Sequence, residues 1–380
     1  VNKLEPSIRA VVDNLCRRLR EFRDSKEPVN LGNAYAALTM DVITEYCFSK
    51  SYGCVDRSDF APEWPKVIEA VSAQSAINKQ FPSLLKTMKM MPESLVEKLN
   101  PEMMLLINFQ KVWTVISSPK RSVGRLTSIQ DMEAQATAMV EGKYDSHQKT
   151  THPTVFKELL DSDLPREEVT VQRLAEEAQT VVAAGQVTTA HFLKMTSFHV
   201  LANPEILRKL KEELISAMPR DGSLPPLSKL EQLPYLSAVI SEGFRKSYGV
   251  TQRLPRVSPD APLVYKTWVI PPGTPVGMTS ILMHDNPQNF PNPQMFDPDR
   301  WLKADSERRL GKYLVNFSKG TRSCLGMNLA KAEIFLTLAA VFHRFDMELY
   351  ETDRSDVDIV HDYFNPSPKD DSKGVRVIIR

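Results

Sequence analysis

The chain has 380 residues, 42% of them hydrophobic and 25% charged, an ordinary balance for a globular protein with a sizeable core. Its 48 Lys and Arg against 47 Asp and Glu leave a net charge of +1, which removes any electrostatic case for nucleic acid as a partner. Four scattered cysteines, Cys16, Cys47, Cys54 and Cys324, form neither a disulfide framework nor a C-x-x-C pair. The 7 histidines offer no H-E-x-x-H, so the pattern argues against zinc and for a reducing compartment. The longest apolar runs, such as Ile334 to Phe342, fall short of a membrane span.

The chain opens in mid-pattern on VNKLEPSIRAVVDNLCRRLREF, and an upstream part is expected. Ile8, Val12, Leu15, Leu19 and Phe22 recur at helical spacing and predict a helix from about residue 4 to 24. A second helix is expected after the Asn30-Leu31-Gly32-Asn33 punctuation, running to about Phe48. Residues 55 to 160 read as helix broken by Pro62, Pro65, Pro82, Pro92 and Pro101. Thr170 is a candidate N-cap for a proline-free helix of about 30 residues, roughly 45 Å long, ending at Asn203-Pro204. Asn203 caps the next helix with Pro204 in its first turn, and Pro234 opens another, PYLSAVISEGFRK. From Thr251 to Pro298, proline, β-branched residues and turns predict short strands and irregular loops. A final helix spans about Met327 to Phe345, and VRVII reads as a strand.

Several positions carry more than one reading. Glu242 and Arg245 share a helix face and make either a surface ion pair or, given Val239, Ile240 and Phe244, a partly buried one. Gly185, in AAGQVTT, costs up to about 1 kcal/mol relative to alanine inside a helix. Either close helix packing or a flat ligand against the backbone would account for it. Thr188 and Thr189 follow, and a mid-helix threonine can divert a carbonyl. Cys324 sits just before a helix N-terminus, where the macrodipole and unpaired amides favour negative charge, with Lys319 and Arg322 adding to it. Gly320 and Gly326 permit close backbone approach or positive φ. The cysteine is then an inert turn residue, a nucleophile, or a thiolate ligand of a metal, haem iron being the common case that needs a single cysteine.

The segment FSKGTRSCLG, Phe317 to Gly326, fits F-x-x-G-x-R-x-C-x-G without a departure, and this pattern is highly specific. It resembles the haem-binding loop of cytochrome P-450 enzymes. The weaker signals follow in the order that family shows: AAGQVTT is similar to its oxygen-activating helix, EGFR (Glu242 to Arg245) to its E-x-x-R, RLPR with Arg256 to a propionate-clamping segment, and FDPDRW (Phe296 to Trp301) to its F-x-P-x-R-W. DVITEYCFSKSYG and VHDYFNPSPKDDSKGVRV look like fungal members of the trichodiene-oxygenase type.

The resemblance covers essentially the whole chain. It implies a mainly α fold with small β-sheets, the cytochrome P-450-type helical fold, N-terminally incomplete, as one domain over residues 1–380. The chain would begin at the family's fourth main helix, lacking the membrane anchor, the first helices and strands, and the W-x-x-x-R helix that holds one propionate. The implied activity is a haem-thiolate monooxygenase that hydroxylates or oxidises a lipophilic small molecule in fungal secondary metabolism. It would use oxygen and electrons from an NADPH-cytochrome P-450 reductase. The alternative is a truncated haem-binding remnant with little or no oxygenase activity, and a third is a helical scaffold without haem. In this reading Cys324 ligates the iron of haem (iron protoporphyrin IX). Phe317, Gly320, Arg322, Gly326, Arg256, Ala184 and Gly185 contact the cofactor, and Thr188 and Gln186 handle protons. Glu242, Arg245 and Arg300 form a salt-bridged triad. Residues around Val181 to Gln186 and Tyr248 to Gln252 would line a substrate pocket. Lys319, Arg322 and Lys331 are either a docking face for the reductase or ordinary solvated cations. One departure stands out: Val187 occupies the position where the family usually carries an acid before the threonine. Complete relatives would sit on the cytosolic face of the endoplasmic reticulum, held to the membrane only through an N-terminal anchor absent from this chain.

Overall fold

Helix α1, Glu5–Ser25, forms because Ile8, Val12, Leu15, Cys16 and Leu19 make one buried stripe, with Pro6 in its first turn and Lys26 closing it in the left-handed region. The computed structural model describes residues 3–81, 154–219, 223–303 and 306–380, with a few positions between 83 and 91. Pro82, Pro92 and Pro101, expected to break helices, lie outside the described residues.

Helix α2, Leu31–Phe48, starts earlier than its sequence suggests. Asn30 is the cap, its side chain accepting the Asn33 amide at 3.2 Å, so Leu31-Gly32-Asn33 is the first turn and not punctuation before it. The helix is buried nearly all round, as a core helix must be if it has no polar face. Helix α3, Glu63–Gln80, and the short helix Val155–Leu160 follow.

Helix α4, Val171–Leu201, is the long element the proline-free stretch predicts, at 31 residues. Thr170 caps it by accepting the Arg173 amide at 3.2 Å. Helix α5, Pro204–Ala217, begins at Asn203, but the Asn203 side chain makes no cap bond; Pro204 supplies the start instead. At helix α6, Pro234–Ser247, the free amides of Tyr235 and Leu236 each donate to the Glu213 carboxylate of α5 at 2.8 Å. Helix α7, Met327–Arg344, is apolar on most faces and buried at Leu329 and from Ala332 to Phe342.

Helices α2 and α4 make the most extensive helix pair, and α7 packs on α1, α5 and α4. Their apolar faces share one core cluster with Val375 and the strand residues Val377 and Ile379. Among the described residues there are three small antiparallel sheets. Strand β7, Arg376–Ile379, pairs with β1, Val29–Asn30, in register Val29↔Val377, and with β4, Met347–Leu349, in register Met347↔Ile379. Strands β2, Leu263–Tyr265, and β3, Trp268–Ile270, form a hairpin, as do β5, His361–Tyr363, and β6, Asn365–Ser367. The stretch from Thr251 to Pro298 also holds a helix, Ser280–His284, which its strand-like composition does not announce; Thr279 caps it through the Ile281 amide.

Candidate active site: a cysteine loop at a helix N-terminus

The cysteine loop is bent by two left-handed residues, Ser318 at φ 59° and Gly320 at φ 73°, the second requiring glycine for lack of a Cβ clash. A single 3-10 turn, Gly320–Arg322, follows, and the Cys324 amide returns to the Phe317 carbonyl at 2.8 Å. This ring of backbone bonds leaves Cys324 exposed two residues before Gly326, the N-cap of α7. It is the exposed thiol among the four. Cys16, Cys47 and Cys54 are buried, and burial pushes their thiols up, Cys47 to about 12.

An aromatic chain places the loop against two helices. The Phe317 ring meets Phe244 of α6 edge-on at 5.1 Å, and Phe244 meets Phe192 of α4 at 4.5 Å. Thr188, one turn before Phe192, is half-exposed and Ala184, two turns before it, is exposed, with the Thr188 hydroxyl donating to the Ala184 carbonyl at 2.9 Å.

The other two residues expected on this wall face elsewhere. A Cβ on Gly185 would come within 2.7 Å of Ile43 in α2, so close packing of α4 on α2 accounts for this glycine. Gln186 is 1% exposed and turned away from Thr188, since residues two apart point to opposite sides of a helix. Its carbonyl accepts from Thr39 Oγ1 at 3.0 Å, and its amide atoms have no partner among the described residues. The structure thus gives Gly185 a packing reason at α2 and sets Gln186 on the side of α4 away from Thr188. The polar side chains of the Tyr248 to Gln252 stretch are tied to neighbouring elements. Tyr248 OH is bonded to Asp285 at 2.9 Å, Thr251 Oγ1 to Asp362 at 2.8 Å, and Gln252 Nε2 to Ser75 at 2.9 Å.

Glu242 is wholly buried, beyond the partial burial its neighbours suggest. Its Oε1 accepts from Arg245 Nη2 at 2.6 Å, Arg300 Nε at 3.2 Å and the Asp297 amide at 2.9 Å. Its Oε2 accepts from Arg245 Nε at 3.0 Å and Trp301 Nε1 at 2.9 Å. Trp301 ends the FDPDRW segment, and its indole N–H, which requires a buried acceptor, finds one in Glu242.

A haem fits this donor set. The loop offers one exposed sulfur, with open space at Gly320, and at Gly326 a Cβ would meet only Cys324 Sγ, at 4.0 Å. Arg322 has no carboxylate partner among the described residues, and the Arg256 guanidinium donates only to the Leu254 and Pro255 carbonyls. Leu254, Val257, Met278, Leu282 and Leu325 are exposed apolar side chains, Leu325 by 94%, which a flat apolar group with two carboxylates would suit.

A cysteine loop on the N-terminus of a core helix, a buried Glu-Arg-Arg cluster and a long helix crossing the core define the class: a haem protein of the cytochrome P450 type. The family model described as cytochrome P450 matches residues 1–371, and the chain belongs to that family. Tryptophan 6-hydroxylase fscE of Fusarium equiseti is 42% identical over 100% of this chain and 71% of its own length. N-acetyltryptophan 6-hydroxylase ivoC of Emericella nidulans is 41% identical over 99% of this chain and 70% of its own. Among solved structures, the heme domain of cytochrome P450DA has the same fold, with a TM-score of 0.70 at 16% identity, covering 100% of this chain and 73% of that one. The chain is thus a monooxygenase of the fungal secondary-metabolism kind. Among the described residues no helix is long and apolar enough to cross a membrane.

Proposed function

We propose that this chain hydroxylates a lipophilic small molecule at a haem whose iron is held by Cys324, with electrons from an NADPH-dependent reductase at the cytosolic face of the endoplasmic reticulum. The observation that carries the reading is the exposed Cys324 at the start of α7, inside an unbroken ten-residue signature. Bound there, the haem supplies oxygen activation, with the thiolate's electron density favouring O–O cleavage. The protein's own residues do the rest. Cys324 presents its sulfur where the first amides of α7 have no helical partner, so negative charge is met by N–H dipoles. Arg322 and Arg256 pair with the propionates, and Ala184 leaves room for the ring beside α4. Thr188 Oγ1 keeps its proton on the Ala184 carbonyl and turns its lone pairs outward, ready to orient a water that delivers a proton. Lys319, Arg322 and Lys331 offer cations to the acidic face of a reductase.

Two tryptophan-derived hydroxylase substrates among the relatives make tryptophan and N-acetyltryptophan the first to try. The reduced protein with carbon monoxide should give the red-shifted Soret band of thiolate-bound haem. Cys324→Ser should lose that band, while Cys47→Ser and Cys54→Ser keep it; a band surviving in Cys324→Ser overturns the assignment. A second reading, a haem-binding protein with little oxygenase activity, is favoured by Val187 in the acid position and by Gln186 lying on the far side of α4. Product formation with reductase and NADPH separates the two.

A further inference from the structure

We propose that His284, to which the sequence assigns nothing, is the positioning residue that clamps the cysteine loop to the helix carrying the Glu242 cluster, and that it does so in one neutral tautomer. The ring is completely buried. Its Nδ1 lies 3.0 Å from the Arg245 carbonyl, which can only accept, so Nδ1 carries the hydrogen. Its Nε2 lies 3.0 Å from the Val315 amide, which can only donate, so Nε2 is bare. Neither the other tautomer nor the imidazolium can make both bonds. The His284 carbonyl in turn accepts from Arg245 Nη1 at 3.2 Å, so His284 and Arg245 hold each other by side chain and backbone.

Val315 begins the path to the iron ligand. Its carbonyl accepts the Ser318 amide at 2.9 Å, and the Phe317 carbonyl accepts the Cys324 amide at 2.8 Å. Around the same point the Asn316 side-chain amide donates to the Phe244 carbonyl, and Gly249 lies so close that a Cβ would be 2.9 Å from the Asn316 carbonyl. A histidine that merely filled space would not satisfy a carbonyl of one element and an amide of another. This one joins them, and its planar ring fixes their separation. Any tilt of α6 or of the buried cluster is carried through the ring to the entry of the loop.

The clamp can be tested in the full chain without bound haem; only its consequence at the iron rests on the ligand role of Cys324. Histidine ring nitrogen spectra of the unsubstituted protein near neutral pH should show His284 as the Nδ1–H tautomer, and the opposite tautomer or a cation would overturn the proposal. His284→Gln can place an acceptor near the Nε2 position, whereas His284→Asn reaches only the Nδ1 position. Amide hydrogen exchange at Val315 should therefore quicken about tenfold in His284→Asn, the loss expected for one hydrogen bond, and much less in His284→Gln. In the haem-loaded proteins with carbon monoxide, the fraction of haem keeping the thiolate band should fall in His284→Asn and be restored in His284→Gln. General destabilisation would lower haem content in both without splitting them. Equal Val315 exchange in the two variants and in the parent overturns the clamp. If the parent itself shows no thiolate band, the role of Cys324 fails while the exchange result still decides the clamp.

Discussion

Glu242→Gln isolates the buried cluster with almost no change of shape. The substitution keeps one carbonyl oxygen, which can still serve Arg245 Nη2, Arg300 Nε and the Asp297 amide. It replaces Oε2 by an NH2 group that faces two donors, Arg245 Nε and Trp301 Nε1. Two charge-assisted bonds of about 1.5–3 kcal/mol each are lost, and two guanidinium groups remain buried with their counter-charge gone. The summed expectation, about 3–6 kcal/mol, overlaps the ~3–5 kcal/mol that breaking one partner of a buried pair generally costs. Denaturant unfolding should show a lower midpoint at unchanged slope. The double variant with Arg300→Met should lose less than the two single losses added, because the orphaned cation has been removed with its partner. A loss below about 1 kcal/mol, the size of an exposed ion pair, or plain additivity would refute the reasoning.

Gly185→Ala should destabilise by about 1–3 kcal/mol despite the better helix propensity of alanine, because its Cβ would overlap Ile43; the same substitution should cost less in an Ile43→Ala background, where the overlapping Cγ1 and Cδ1 are gone, and a stabilised Gly185→Ala would show that α2 and α4 do not pack this closely. His284 adds a pH dependence. Burial foremost, with the nearby Arg245 charge, lowers its pKa to about 4 from the ordinary 6.5, while the bond to the Arg245 carbonyl opposes this; Lys246, Asp285 and the Tyr248 ring are its other charged and titratable neighbours. The unfolded chain then binds a proton that the folded chain does not, so this stability is complete above about pH 6.5 and falls as pH drops through about 4, by ~3 kcal/mol in all. His284→Gln should flatten that slope in denaturant midpoints measured across the window, and an unchanged slope would assign it to other groups.

What the sequence makes legible is what depends on neighbours along the chain. Thr170 as a cap, the unbroken run to Leu201 and the loop spacing around Cys324 are local, and each appears where its chemistry puts it. Gln186, Gly185 and His284 depend on which side of an element meets another element. Both readings of Gly185 satisfy the sequence equally, and only the approach of Ile43, far upstream, chooses between them. His284 carries no local signal at all: a lone histidine near a helix end says nothing until Val315 and the Arg245 carbonyl are seen on its two sides. Thr39 against the Gln186 carbonyl is hidden for the same reason.

The buried charges also have a reason that net stability does not provide, since a buried ion pair often gains little over an apolar replacement. The segment from Pro291 to Met295 is rich in proline, whose nitrogen cannot donate, and it lies in neither helix nor strand. Its part-buried carbonyls at Pro291, Pro293 and Met295 have no backbone partner among the described residues and take donors from elsewhere. The two arginines supply them: Arg300 Nη1 donates to Pro291 at 2.9 Å, and Arg245 donates to Pro293 and Met295 at 2.7 Å each. A lysine has no planar fork with which to reach Glu242 and two carbonyls together. Glu242 then compensates the charge that this arrangement brings inside. The cluster therefore acts as a template for an irregular backbone, and His284 extends the same template to Val315 and the cysteine loop.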